Sequence, residues 1–126
     1  MAVLKRSLYI SLILTGCAQA SPQLNIDINN KLSSCFQLQQ QTISITNEVP
    51  ILEAKYQVKK NISECGCKSK ILSYSTAIVT DDLETQIISG QFILNTEDSF
   101  NIPIASSQKI VGDYDLNITL ACALPN

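Results

Sequence analysis

The amino-acid sequence predicts an all-β sandwich of about seven strands, stapled by disulfides. Three observations carry that reading. Apolar residues recur at a spacing of two, as in strands with one buried face, rather than at helical spacing. Turn-forming clusters separate these runs at short intervals. Four cysteines, Cys35, Cys65, Cys67 and Cys122, lie within residues 21–126, and an even set in an exported chain is read as a disulfide framework.

In order along the chain, Leu24, Ile26 and Ile28 alternate with Asn and Asp. Residues 29–41 are the one stretch that reads as a short helix, and Gln37, Gln39, Gln40 and Gln41 mark it as exposed. Over 51–60 the even positions Leu52, Ala54, Tyr56 and Val58 are apolar against Glu53, Lys55, Gln57 and Lys59. Leu72, Tyr74 and Ile78 share the next face, with Ser73 and Ser75 opposite. Residues 83–94 read as a strand in which Ser89-Gly90 marks a candidate bulge. Phe100, Ile102 and Ile104 form a further run. The longest is the last, where Tyr114, Leu116, Ile118, Leu120, Cys122 and Leu124 fall on one side. Asn47-Glu48-Val49-Pro50, Thr80-Asp81-Asp82, Asn95-Thr96-Glu97-Asp98 and Gly112-Asp113 are the turns between runs.

Residues 1–20 read as an export signal. Lys5 and Arg6 supply the basic start, and the apolar run 7–14 is too short for a bilayer, which takes ~20 residues. Two cleavage patterns overlap. Leu14-Thr15-Gly16-Cys17 resembles a lipobox, in which Cys17 is lipidated and becomes the mature N-terminus; Ala18-Gln19-Ala20 fits ordinary signal peptidase. Either route removes one of five cysteines from the disulfide set. Ala18, rather than Asp, after Cys17 points to the outer membrane if the lipid is added. The expected location is therefore the periplasm or the outer membrane, with secretion as the alternative. A single domain, 21–126, remains.

Direct Cys65–Cys67 pairing would close a very tight ring, so Cys35 and Cys122 each take one member of the Cys65-Gly66-Cys67 pair. The preferred assignment is Cys35–Cys65 with Cys67–Cys122, and the exchanged pairing stays open. In an extended strand Cys65 and Cys67 would share a face, and the Cys122 bridge should lie against the core. A redox role for the pair and a four-thiolate zinc site are the competing readings. Neighbouring His or Arg to lower a thiol pKa is lacking, and only one closely spaced pair exists where structural zinc sites use two.

The chain has no His, which excludes Ser-His-Asp triads, Cys-His dyads and His-ligated metals. With 45% hydrophobic and 16% charged residues it is globular rather than disordered. The net charge of −2 excludes a strongly basic nucleic-acid binder. Nine basic residues less Lys5 and Arg6 leave seven Lys and no Arg against eleven acids, a mature charge of −4. Without Arg, bidentate recognition of phosphate or carboxylate is not expected. Asp81-Asp82, Glu97-Asp98 and Asp113/Asp115 read as solvated turns. Lys55, Lys59, Lys60, Lys68 and Lys70 read as the polar face of two neighbouring strands, with a weak anionic contact as the alternative. Asn61-Ile62-Ser63 and Asn117-Ile118-Thr119 match glycosylation sequons by chance.

Two resemblances add to this. The Gly112-Asp113-Tyr114 opening of the final strand is similar to the last strand of many bacterial immunoglobulin-like domains, which implies an immunoglobulin-like sandwich. Tyr114 stands eight residues before Cys122, not two, so the tyrosine-corner pattern itself is not matched. The stretch Glu64-Cys65-Gly66-Cys67-Lys68-Ser69-Lys70-Ile71-Leu72-Ser73-Tyr74, with the closing Thr119-Leu120-Ala121-Cys122-Ala123-Leu124-Pro125, resembles a family of uncharacterised bacterial exported proteins. That resemblance implies a small secreted domain and transfers no activity. The expectation is a non-enzymatic envelope module, binding or structural, that uses no cofactor or metal. Its partner would be a protein or envelope component, and it would meet the membrane only through a lipid on Cys17. A thiol-redox protein using Cys65 and Cys67, or a secreted inhibitor of a hydrolase, are the alternatives.

Overall fold

The computed structural model describes residues 24–95 and 98–124. Cys17 and the expected export signal, residues 1–20, lie outside them. Seven strands form two sheets, ordered β1-β7-β4-β5 and β2-β3-β6. The strands are β1 (Ile26–Asn30), β2 (Phe36–Thr46), β3 (Val49–Val58), β4 (Ile71–Thr80), β5 (Leu83–Ile93), β6 (Ser99–Pro103) and β7 (Asp115–Cys122). The fold is a disulfide-stapled β-sandwich of seven strands, split four and three. Every strand pair is antiparallel except β1 with β7, where Ile26 sits opposite Leu116 and Asn30 opposite Leu120. The parallel pair brings the first strand in beside the start of the last one.

Period two becomes burial directly. Leu52, Ala54 and Tyr56 of β3, Leu72 and Tyr74 of β4, Ile102 of β6, and Leu116, Ile118 and Leu120 of β7 are all buried. The fully buried Leu and Ile among them each contribute about 1.5–3 kcal/mol by leaving water. Among the described residues no backbone ladder joins one sheet to the other, so side chains hold them face to face. Five aromatic rings form a continuous path through the interior. Phe36 meets Tyr56 edge-on at 5.8 Å, and Tyr56 meets Phe100 at 5.9 Å. Phe100 of β6 stacks on Phe92 of β5 at 4.5 Å, the crossing from one sheet to the other, and Phe92 approaches Tyr74 at 6.5 Å. With no Trp in the chain, this path supplies the large interior surfaces.

The Tyr56 hydroxyl reaches out of the core. It donates to the Asn95 carbonyl at 3.1 Å and accepts from the Asn95 amide at 3.0 Å. The Tyr56 amide meanwhile donates to the Asp98 carbonyl at 2.9 Å. One core residue therefore pins both sides of the β5–β6 connection.

The structure corrects several expectations. Residues 29–41 are not a helix: they hold the end of β1, a turn that buries Leu32 and Cys35, and the start of β2. The Gln-rich composition fits an edge strand equally well, because β2 borders solvent on one side and pairs only with β3. Helix occurs instead at Gln108–Val111 (α1), where Ser107 Oγ accepts from the Lys109 amide and Gly112 closes the turn at φ +52°. In β5 the extra residue is Ile87, since Thr76 pairs with Ile88 and Ala77 with Gln86. Gly90 serves a different purpose. Tyr74 lies directly across from it, and a Cβ there would come within 2.8 Å of the Tyr74 ring. The last apolar face also runs past the core at both ends, because Tyr114 and Leu124 are exposed.

Thr76, on the core face of β4, is completely buried, and its hydroxyl has no hydrogen-bond partner among the described residues. Burying an unsatisfied hydroxyl costs about 1–3 kcal/mol. Thr76→Val keeps the branched shape and removes the orphaned oxygen, so it should stabilise the fold by about 1 kcal/mol. Chemical denaturation checks this, with a raised midpoint at an unchanged slope as the expected result.

Candidate functional site

Four cysteines and most of the lysines gather at one end of the sandwich. After β3 the chain leaves the three-stranded sheet through Lys59 and Lys60, whose amides both donate to the Cys35 carbonyl. Asn61 then caps a short 3₁₀ turn, Ile62–Cys65, by accepting from the Ser63 amide at 3.0 Å. Gly66 ends that turn at φ +88°, a left-handed conformation that disfavours any side chain. Cys67 follows, and Lys68-Ser69-Lys70 leads into β4. Cys65 and Cys67 therefore do not sit on one face of a strand, as their spacing implied. The reversal at Gly66 separates them and directs each to its own partner.

The bridges are Cys35–Cys65, with Cα atoms 6.3 Å apart, and Cys67–Cys122, at 5.1 Å. Cys35 stands just before β2 in the three-stranded sheet, and Cys122 ends β7 in the four-stranded sheet. Through three consecutive residues the two sheets are joined covalently. Cys35 is completely buried and Cys67 nearly so, whereas Cys65 and Cys122 are half-buried. With each sulfur committed to a different partner, the Cys65-Gly66-Cys67 motif forms no bond within itself. Chemically the arrangement is a double staple.

The lysines expected on two neighbouring strands are placed otherwise. Only Lys55 belongs to a strand, β3, while Lys59, Lys60, Lys68 and Lys70 flank the 3₁₀ turn in exposed loops. The carboxylates do not converge. Asp81 and Asp82 form the exposed β4–β5 turn, Asp98 stands in the β5–β6 connection, and Asp113 precedes β7. Asp115 accepts from Asn25 Nδ2 at 3.2 Å. Glu97 lies outside the described residues. Among the described residues no group of three or more His, Cys, Asp or Glu side chains is placed to hold a metal ion. The sequon asparagines serve the fold: Asn61 is the cap above, and Asn117 Nδ2 donates to Glu84 Oε1 at 2.6 Å across the outer face of the larger sheet.

That outer face carries two open depressions. A volume of about 450 Å³ opens beside Asp27, Val79, Asp115 and Asn117, and another of about 510 Å³ beside Asn29, Lys31, Glu84 and Thr119. Both are shallow and open, unlike the enclosing pockets that take small ligands. Of the titratable groups, Tyr74 is displaced: burial pushes its phenol above the usual tyrosine range. The ring lies against Gly90 within the fold, and packing accounts for it.

A comparison with curated proteins finds no match. Among solved structures, a strand-swapped CTLA-4 from duckbill platypus aligns with 72% of this chain and 83% of its own length, at 11% identity and a TM-score of 0.40. The family described as uncharacterised proteins conserved in bacteria (DUF2195) matches residues 8–125, and the chain belongs to that family.

Proposed function

We propose that this chain is a non-enzymatic exported domain of the bacterial envelope, acting as a binding or structural module, with Cys17 as the site of a lipid anchor. The observation that carries the reading is the use of the cysteines. All four that follow the export signal are engaged in two disulfides. Such bonds persist in oxidising compartments and are rare in a reducing cytosol. The periplasm is the bacterial compartment of that kind. Among the described residues no helix is long and apolar enough to cross a membrane, so an attachment would come from the lipid. Two bridges of sequence separation 30 and 55 each contribute about 3–4 kcal/mol on the loop-entropy scale. A rigid scaffold with polar outer faces suits a module that presents surface to a partner.

Two measurements test this. The mass of the purified mature chain should correspond to an N-terminus at diacylglycerol-modified Cys17, and Cys17→Ala should move the protein from the membrane to the soluble fraction. An unprocessed chain with reduced thiols in the cytoplasm would contradict export. A chain cleaved after Ala20 would keep export and remove the anchor. In the second, iodoacetamide added to the native protein without reductant should label none of Cys35, Cys65, Cys67 or Cys122. Ready labelling of Cys65 and Cys67, prevented when the protein is first treated with an oxidant, would replace the structural role by a thiol-redox one.

A further inference from the structure

The charges of the domain are sorted by pole. Lys31 follows β1, Lys59 and Lys60 follow β3, and Lys68 and Lys70 precede β4, so all five lie at the end of the sandwich that carries the Cys65-Gly66-Cys67 turn. Hydrogen bonds and bridges hold these loops together: the Lys31 amide donates to the Leu120 carbonyl, the Lys70 carbonyl accepts from the Leu94 amide, and both disulfides meet between them. All five lysines are exposed. Among the described residues the ion pair found is Lys109 with Glu48, at the other pole, and none of the five lysines takes part in one. Glu64 and Asp98 are the described acids in the loops of the lysine pole, and Asp27 and Glu84 line a depression together with Lys31. The opposite pole carries Glu48, Asp81, Asp82, Asp113 and Asp115 against Lys109 alone.

A second observation concerns apolar surface at the same pole. Ile71 and Ile93 sit directly opposite one another at the ends of β4 and β5, adjoining Lys70, and Ile93 is 60% exposed. Leu124, just beyond β7, is 85% exposed, and Val58 at the end of β3 is 49% exposed. Exposed branched aliphatic side chains set among unpaired ammonium groups match what an anionic bilayer surface offers: headgroup charge for the lysines and acyl boundary for the apolar tips. A soluble polyanion would satisfy the first and leave the second in water.

We infer that the disulfide pole docks the domain on an anionic phospholipid surface. The inference deepens the binding-module reading and names its partner. It also goes beyond the expectation that the membrane is met only through Cys17. The chain enters the fold at the opposite pole, where the Asn25 carbonyl accepts from the Leu116 amide. Docking through the lysine pole is therefore a contact separate from a lipid on Cys17.

Vesicle sedimentation tests the docking with the Cys17→Ala chain, purified after processing so that no acyl group contributes. The protein should bind phosphatidylglycerol–phosphatidylcholine vesicles and not phosphatidylcholine alone. Each lysine lost should weaken binding about fivefold, so Lys68→Gln/Lys70→Gln should cost about 25-fold. Lys109→Gln should change nothing, and Ile93→Ser should lower the binding that survives added salt. These side chains are exposed, and circular dichroism verifies that each variant is folded. Equal binding to both vesicle types, or an equal loss from Lys109→Gln, would overturn the inference. Preference for soluble polyglutamate or an anionic polysaccharide over vesicles would overturn it in favour of a soluble polyanion. Either failure leaves export untouched, because fractionation reads that separately.

Discussion

Two β-sheets that no backbone ladder joins among the described residues must be held together by something else, and here the covalent part of that task falls on three residues. Gly66, in the left-handed region at φ +88°, turns the chain between Cys65 and Cys67. One sulfur can then bridge to Cys35 beside β2 while the next bridges to Cys122 in β7. A residue with a Cβ would strain this reversal by about 1–2 kcal/mol, although the space around Gly66 is open. The requirement is one of backbone conformation, not of volume. Everything at that pole depends on it: the 3₁₀ turn, the loops that carry the lysines and the anchoring of β2 to the rest of the chain.

The interior answers the same problem without covalent bonds. The aromatic path from Phe36 through Tyr56, Phe100 and Phe92 to Tyr74 crosses between sheets at the stacked Phe92–Phe100 pair. Tyr56 extends it to the surface by fixing Asn95 through two hydrogen bonds. Gly90 belongs to this system too, since its missing side chain makes room for the Tyr74 ring. The staple and the aromatic path act on different parts of one interface, so the sheets are constrained both at an end and through the middle.

Much of this was legible in the sequence because period two is a direct image of which face is buried. Leu52, Tyr56, Leu72, Ile102 and Ile118 could be assigned to the core by counting alone. Counting does not reveal where a face stops being covered, which is why Tyr114 and Leu124 continue the pattern into solvent. Nor does it tell a polar edge strand from an exposed helix, and β2 with its Gln run falls into that gap. Local signals exist for what was missed: Ser107 and Gly112 bracket α1 as caps, and glycine between two cysteines marks a backbone reversal rather than a strand. The lysine pole was hidden for another reason. Lys31 stands far from Lys59, Lys60, Lys68 and Lys70 in sequence, and only the parallel pairing of β1 with β7 and the two bridges bring them to one end.

Non-reducing peptide mapping tests the central claim most directly, because trypsin cuts after Lys31, Lys55, Lys60, Lys68 and Lys109. The cysteines then fall in peptides 32–55, 61–68 and 110–126. A cross-sheet staple through Cys65-Gly66-Cys67 predicts one assembly in which 61–68 is linked to both other peptides, and which separates into three on reduction. Collisional backbone cleavage between Cys65 and Cys67 should leave Cys65 with 32–55 and Cys67 with 110–126. Peptide 61–68 released alone with an internal bond, and 32–55 joined directly to 110–126, would contradict it.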